Sequence, residues 1–141
     1  MLPPMDRKLE LLRGVPLFAD LDAQSLDAVG VLAKEVSRPA GTVLMREGEP
    51  GDEFYVLVDG TIRVERAGGT GRSISAGGFL GEIALVEGPA RTATATCVDG
   101  CRLLVIQRHE FDRLLRTMPH LERRVRAAAA RRPHGSGSDA A

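Results

Sequence analysis

The chain has 141 residues, 43% of them hydrophobic and 27% charged, and its 19 Lys+Arg balance 19 Asp+Glu. That length allows one domain with its own core, and the composition is that of a globular protein rather than a disordered chain. No apolar run approaches the roughly 20 residues of a membrane span, and Met1-Leu2-Pro3-Pro4-Met5-Asp6-Arg7-Lys8 lacks the apolar core of a secretory signal, so the expected location is cytoplasmic.

Asp22 offers a side-chain oxygen for a helix start, and Leu26, Val29, Leu32, Ala33 and Val36 then recur at helical spacing until Pro39-Ala40-Gly41 ends the run. From residue 42 to 107 short β-branched runs alternate with glycine-rich turns, the pattern of a barrel or sandwich. Residues 54–58 and 61–65 flank Asp59-Gly60, a dipeptide that favours a tight hairpin. Cys97 and Cys101 bracket a turn at Val98-Asp99-Gly100. Two cysteines make no disulfide framework, and both are expected as free thiols in a reducing compartment.

A last strand over 102–107 leads into a helix at about 109–116. Met118-Pro119 then redirects the chain, and Leu121, Val125, Ala128 and Ala129 place an apolar stripe on a second helix. Alanines on that stripe permit close approach to the β region or to another copy of the helix. Between Arg102 and His134 nine arginines face only Glu110, Asp112 and Glu122, an excess of six positive charges that by itself selects no partner. The polar stretch Arg132-Pro133-His134-Gly135-Ser136-Gly137-Ser138 reads as a flexible tail, so the expected organisation is one domain over 1–132 and a tail over 133–141.

The chemistry concentrates in Gly78-Phe79-Leu80-Gly81-Glu82-Ile83-Ala84-Leu85, followed nine positions after Glu82 by Arg91-Thr92-Ala93. A phosphodiester taken out of water needs N–H donors and a cation that grips two of its oxygens. A short helix start supplies the first, and an arginine fork supplies the second. A carboxylate at Glu82 repels phosphate, so its natural partner is a hydroxyl such as a ribose 2′-OH. Phosphate beside a ribose hydroxyl describes a nucleotide.

Gly81-Glu82-Ile83-Ala84-Leu85-Val86-Glu87-Gly88-Pro89-Ala90-Arg91-Thr92-Ala93-Thr94 resembles the phosphate-binding cassette of cyclic nucleotide-binding domains, of the catabolite activator, protein kinase regulatory and cyclic-nucleotide-gated channel type. Val15-Pro16-Leu17-Phe18 resembles the helical approach of that family. Gly41-Thr42-Val43-Leu44, Glu47-Gly48-Glu49-Pro50-Gly51-Asp52 and Asp59-Gly60 resemble its β-roll. The resemblance implies a mainly β fold: a jelly-roll-like β-roll with N-terminal helices, a short phosphate-binding helix and C-terminal helices that cap the base and often form a homodimer contact.

Carried over residue by residue, the resemblance implies that Arg91 binds the exocyclic phosphate and Glu82 the ribose 2′-OH. Gly81, Ile83 and Ala84 belong to the same cassette, and main-chain amides near Ala84 and Thr92 add phosphate contacts. Val64 and Ile74 are apolar walls for the purine. An arginine among Arg123, Arg124 and Arg126 is a candidate to stack on the base, although a solvated helix face accounts for most of them. A hydroxyl at Thr92 resembles a cGMP-favouring feature of some relatives, yet channels with threonine there answer to cAMP, and the ligand expected is cAMP ahead of cGMP.

Catalytic readings lack their residues. His109, His120 and His134 all follow the β region, which removes a histidine-ligated barrel oxygenase. There is no nucleophile elbow, no lysine-bearing phosphate loop and no metal pair for a phosphodiesterase. The expectation is therefore a non-enzymatic, ligand-driven switch without cofactor or metal. Only a few residues follow the last helix, too few for a helix-turn-helix, so DNA reading by this chain alone is not expected, and an effector domain or protein is. The alternative is a degenerate β-roll that binds no nucleotide and serves dimerisation or docking.

Overall fold

The computed structural model describes residues 4–69, 71–81 and 93–130, with side chains from Arg7 to Ala127 within those ranges. Helices α1 (Pro4–Arg13) and α2 (Ala23–Leu32) come first. Eight strands follow: β1 (Lys34–Arg38), β2 (Val43–Met45), β3 (Glu53–Asp59), β4 (Ile62–Glu65), β5 (Arg72–Ile74), β6 (Phe79–Leu80), β7 (Thr94–Cys97) and β8 (Cys101–Gln107). Helices α3 (Arg108–Thr117) and α4 (Pro119–Ala130) close the order. The expected mainly β fold with flanking helices is the fold observed. The short phosphate-binding helix expected after Gly81 lies outside the described residues.

Asp22 caps α2 as expected, its carboxylate accepting from the Ser25 N–H at 2.8 Å. The helix nevertheless ends at Leu32, with Ala33 already extended (φ −80, ψ 133). Residues 34–38, which the helical spacing predicts as its continuation, are instead edge strand β1, antiparallel to β8 with Val36 opposite Leu103. The apolar spacing runs across Ala33 unchanged, but residues 34–38 give the backbone of β8 a five-residue ladder that a helix could not supply, and branched Val36 suits a strand. Helix α1 carries few apolar residues and no clear cap, so its sequence gives little sign of it. Leu12, fully buried, anchors it.

The strands form two four-stranded antiparallel sheets, β1-β8-β3-β6 and β2-β7-β4-β5. Alternation along β3 and β8 sends Phe54, Val56, Leu104 and Ile106 toward the helices, while Tyr55, Leu57, Leu103 and Val105 face the second sheet. The first sheet is thus buried on both faces. The second is covered only on its inner face, where Ile62, Val64, Ile74, Ala95 and Cys97 pack, and Arg63, Glu65 and Ser73 are exposed. On the helical side Phe54 stacks on Phe111 (4.4 Å, 12°) and meets Phe18 edge-on (6.4 Å, 74°).

Asp59-Gly60 does not close a hairpin. Strands β3 and β4 lie in different sheets, and the chain turns a corner there. Gly60 has φ +104, and a Cβ on it would lie 2.6 Å from Gly100 O and 2.9 Å from Cys101 Sγ. The corner at 98–100 makes the matching return between sheets. The two are tied by Thr61 N–H to Asp99 Oδ1 (2.8 Å) and Val98 N–H to Thr61 O (2.9 Å). The hairpin of this region is β4–β5, with Ile62 opposite Ile74 and Val64 opposite Arg72. Among the described residues no helix is long and apolar enough to cross a membrane.

Candidate functional site

Strand β6 delivers the cassette. Its two residues pair with β3, Leu80 opposite Tyr55 and Phe79 opposite Val56. Leu80 enters the core between the sheets, whereas Phe79 turns the other way against Phe54, ring centres 5.8 Å apart. The preceding turn is held to β3 by Gly77 N–H to Leu57 O and Leu57 N–H to Gly78 O, both 2.8 Å. Gly78 has no room for a side chain, since a Cβ would lie 2.4 Å from Ile74 Cγ2. Gly81 follows, buried and at φ +101, a backbone region that a side chain would strain. The chain therefore leaves the sheet edge at Gly81 in a conformation suited to glycine.

Of the residues read from the sequence, Gly81, Val64 and Ile74 fall within the described structure. Val64 (0% exposed) and Ile74 (4%) lie on the inner face of the second sheet. Glu82, Ile83, Ala84, Arg91 and Thr92 lie outside the described residues. The chain is described again from Ala93, which is fully buried, and Thr94 pairs with Glu65 on β4. Thr94 Oγ1 accepts from the Glu47 N–H at 3.0 Å, and the Glu47 carboxylate accepts from the Ala67 N–H at 2.9 Å. Both ends of the cassette are thus fixed, one at edge strand β6 of the first sheet and the other at β7, an inner strand of the second.

Helix α4 packs on the helical side of the first sheet, with Leu121 and Val125 fully buried in that core. Two of its three candidate arginines contact protein, and Arg123 is exposed. Arg124 donates to Asp20 and to Pro16 O (2.8 Å), His120 Nε2 lies 3.2 Å from Asp20 Oδ2, and Arg126 is 3.6 Å from Glu122. The contact with His120, together with the charge of Arg124, holds the Asp20 carboxyl below its ordinary range. Ala128 and Ala129 are helical, but their side chains are outside the described ones.

Cys97 and Cys101 are free and buried. Desolvation, reinforced by a hydrogen bond with Cys101, pushes the Cys97 thiol up to about 12. No group of three or more His, Cys, Asp or Glu gathers to hold a metal among the described residues. The cavity of about 340 Å³ between α1 and β3, lined by Glu10, Leu11, Gly14, Val15, Leu57, Val58, Ala76 and Gly77, includes none of the candidate site residues.

A family model described as cyclic nucleotide-binding domain matches residues 35–118, more than half of the chain. The chain belongs to the cyclic nucleotide-binding domain family. Domains of this family are regulatory rather than catalytic. A cyclic nucleotide-gated potassium channel of Rhizobium etli is 31% identical over 129 residues, covering 92% of this chain and 36% of the channel. The domain thus spans about a third of the length of the curated relatives it matches first.

Among solved structures, the regulatory domain of Toxoplasma gondii PKA with cAMP superposes with a TM-score of 0.82. It is 23% identical, covers 91% of this chain and 50% of its own, and attests the fold. PKAR CBD2 bound to Sp-2Cl-cAMPS gives a TM-score of 0.74 at 27% identity, covering 89% of each chain. Sequence reasoning found the cassette and did not single out Arg66, whose Nε and Nη2 are buried without a hydrogen-bond partner among the described residues.

Proposed function

We propose that this domain is the cyclic nucleotide-sensing module of a signalling protein, with cAMP ahead of cGMP as ligand. The observation that carries the reading is Gly81, buried at φ +101 where β6 leaves the sheet, at the first residue of the family's phosphate-binding motif. From there the backbone of Glu82, Ile83 and Ala84 and the fork of Arg91 hold the phosphate, Glu82 accepts from the ribose 2′-OH, and the amide of Thr92 adds a contact. Val64 and Ile74 form the apolar wall behind the purine. The similar PKAR domain carries a cAMP analogue and the similar Rhizobium protein is a cyclic nucleotide-gated channel, which supports the ligand class.

The switch resides in the C-terminal helices. In the arrangement described, α4 rests on Pro16 and Asp20 with Leu121 and Val125 in the helical core. Moving it over the base breaks those contacts, so ligand must bind the covered state more tightly by at least their worth. An effector domain or protein reads that movement from the cytoplasm. The domain itself occupies 1–132 and the tail 133–141, and the alanine face of α4 offers a homodimer contact. No observation favours the non-binding alternative.

The test is calorimetric titration of the full chain with cAMP and cGMP against 5′-AMP, repeated with Arg91→Leu. Saturable binding of a cyclic form over 5′-AMP is expected. Loss of the charge partner from a desolvated phosphate should weaken it by about 2–5 kcal/mol. Folded protein that binds no cyclic form, or an Arg91→Leu variant of unchanged affinity, overturns the reading.

A further inference from the structure

The two C-terminal helices bury one chemistry and turn another outward. In α3 Phe111, Leu114 and Leu115 enter the helical core, and the opposite side carries His109, Arg113 and Arg116, all exposed. In α4 Leu121 and Val125 enter the same core, and His120, Arg123 and Arg126 are exposed. Spacings of three and four residues place each set on one side of its helix. The Arg126 side chain is 59% exposed, against 32% for Arg124, which is turned in toward Pro16 and Asp20. From Arg108 to Arg126 six arginines meet three acids, Glu110, Asp112 and Glu122. Those acids are half-buried on the flanks, Glu122 beside Arg126 at 3.6 Å. His120 leans on Asp20 at 3.2 Å, which leaves four arginines as the standing charge of the two outward stripes.

What such a face fits follows from what it lacks. The centre of a stable protein interface is apolar, depleted of charge and anchored by aromatic side chains. The exposed positions described on α3 and α4 hold only Arg, His, Thr, Pro and Ala. Val31 and Val98, the exposed large hydrophobics among the described residues, lie on α2 and at the corner between the sheets. A protein partner would therefore find no anchor. A duplex groove admits a single helix, and here the bases are divided between two. An anionic bilayer needs neither anchor nor register. Its surface potential attracts each exposed base, and an arginine fork matches the geometry of a lipid phosphate. A bilayer is also flat on the scale of a domain, so two helices on one side of the molecule meet it together.

We propose that the outward stripes of α3 and α4 dock this domain on a bilayer that contains anionic phospholipid, through Arg113, Arg116, Arg123 and Arg126. Docking there lays the helical side of the first sheet against the headgroups and leaves Arg63 and Glu65, on the outer face of the second sheet, in water. Arg124 keeps its place on Asp20. The proposal does not rest on the nucleotide reading.

The test is co-sedimentation of the full chain with vesicles of phosphatidylcholine alone and of phosphatidylcholine mixed with phosphatidylserine. Binding is expected to the mixed vesicles only, and it should fade as salt rises, because exposed charges are screened. That comparison needs no variant to fold. A base near an anionic surface is worth about 1 kcal/mol, so Arg113→Gln with Arg116→Gln, or Arg123→Gln with Arg126→Gln, should lower the partition coefficient about tenfold or more. Arg46→Gln with Arg63→Gln removes the same charge from exposed positions on and beside the second sheet. It should lower the coefficient about threefold or less, since attraction falls off within a Debye length of the surface. Failure of the folded, unsubstituted chain to bind the mixed vesicles overturns the proposal. An equal loss from the Arg46 and Arg63 substitutions also overturns it, by showing attraction to net charge without a docking face. Tighter binding to a DNA duplex than to the mixed vesicles at matched salt assigns the stripes to nucleic acid instead.

Discussion

Replacing Gly60 by alanine tests the corner that separates the two sheets. Two costs add at this position. A Cβ at φ +104 occupies a backbone region that side chains rarely adopt, worth about 1–3 kcal/mol. The same Cβ would sit 2.6 Å from Gly100 O, 2.9 Å from Cys101 Sγ and 3.0 Å from Cys101 Cα. Two of those atoms are backbone, so the returning corner at 98–100 must shift, at a further cost of about 1–3 kcal/mol. The sum is about 2–6 kcal/mol, a large part of the total stability of an ordinary domain. Gly48 is the control, because at φ +86 an added methyl group there would have nothing within 4 Å. Gly48→Ala should therefore lose only the backbone part. Urea denaturation of both variants with a common m-value measures the difference. Equal destabilisation would show that the interlocked corners yield freely and do not set the spacing of the sheets.

Glu82→Ala should weaken binding of cAMP or cGMP while leaving the already weaker 2′-deoxy analogue little changed. Equal sensitivity of parent and analogue in calorimetry removes the ribose role from Glu82. Asp20 is held below its ordinary carboxyl range by His120 and Arg124, so its contribution is full above the unfolded value and is lost as pH falls through the folded one. Asp20→Ala should accordingly lower Tm at pH 7 and lose that difference below the carboxylate range, and a pH-independent difference in thermal melts argues against the clamp on α4. Cys97, pushed up to about 12 mainly by burial, stabilises the fold fully below the unfolded thiol value and loses that contribution as pH rises toward 12. At pH 8 it should resist iodoacetamide in the native chain and react on unfolding, and rapid alkylation without unfolding refutes that placement.

Several features were legible because they are local. Asp22 caps α2 through its own carboxylate, the strand and helix at 101–117 follow from their periodicity, and the cassette announces itself by residue type and spacing alone. Features that depend on competition between distant segments were not. Whether residues 34–38 continue a helix or form a strand depends on β8, about 70 residues later in the chain, offering them a ladder. Asp59-Gly60 reads as a hairpin because the dipeptide suits one. The corner arises because β7 and β5 compete for β4 while β8 and β6 take β3.

The amino-acid order by itself therefore carried the resemblance that marks the family and its ligand class, and through that resemblance nominated the residues proposed for phosphate and ribose, since such a motif is chemical type at fixed spacing. The tertiary structure alone decided that Gly81 leaves the sheet at positive φ, that α4 is tied to Asp20 on the helical side, and that Arg66 carries two buried donors. Burial and partnership are properties of what the rest of the chain places around a residue, and no window along the sequence contains them.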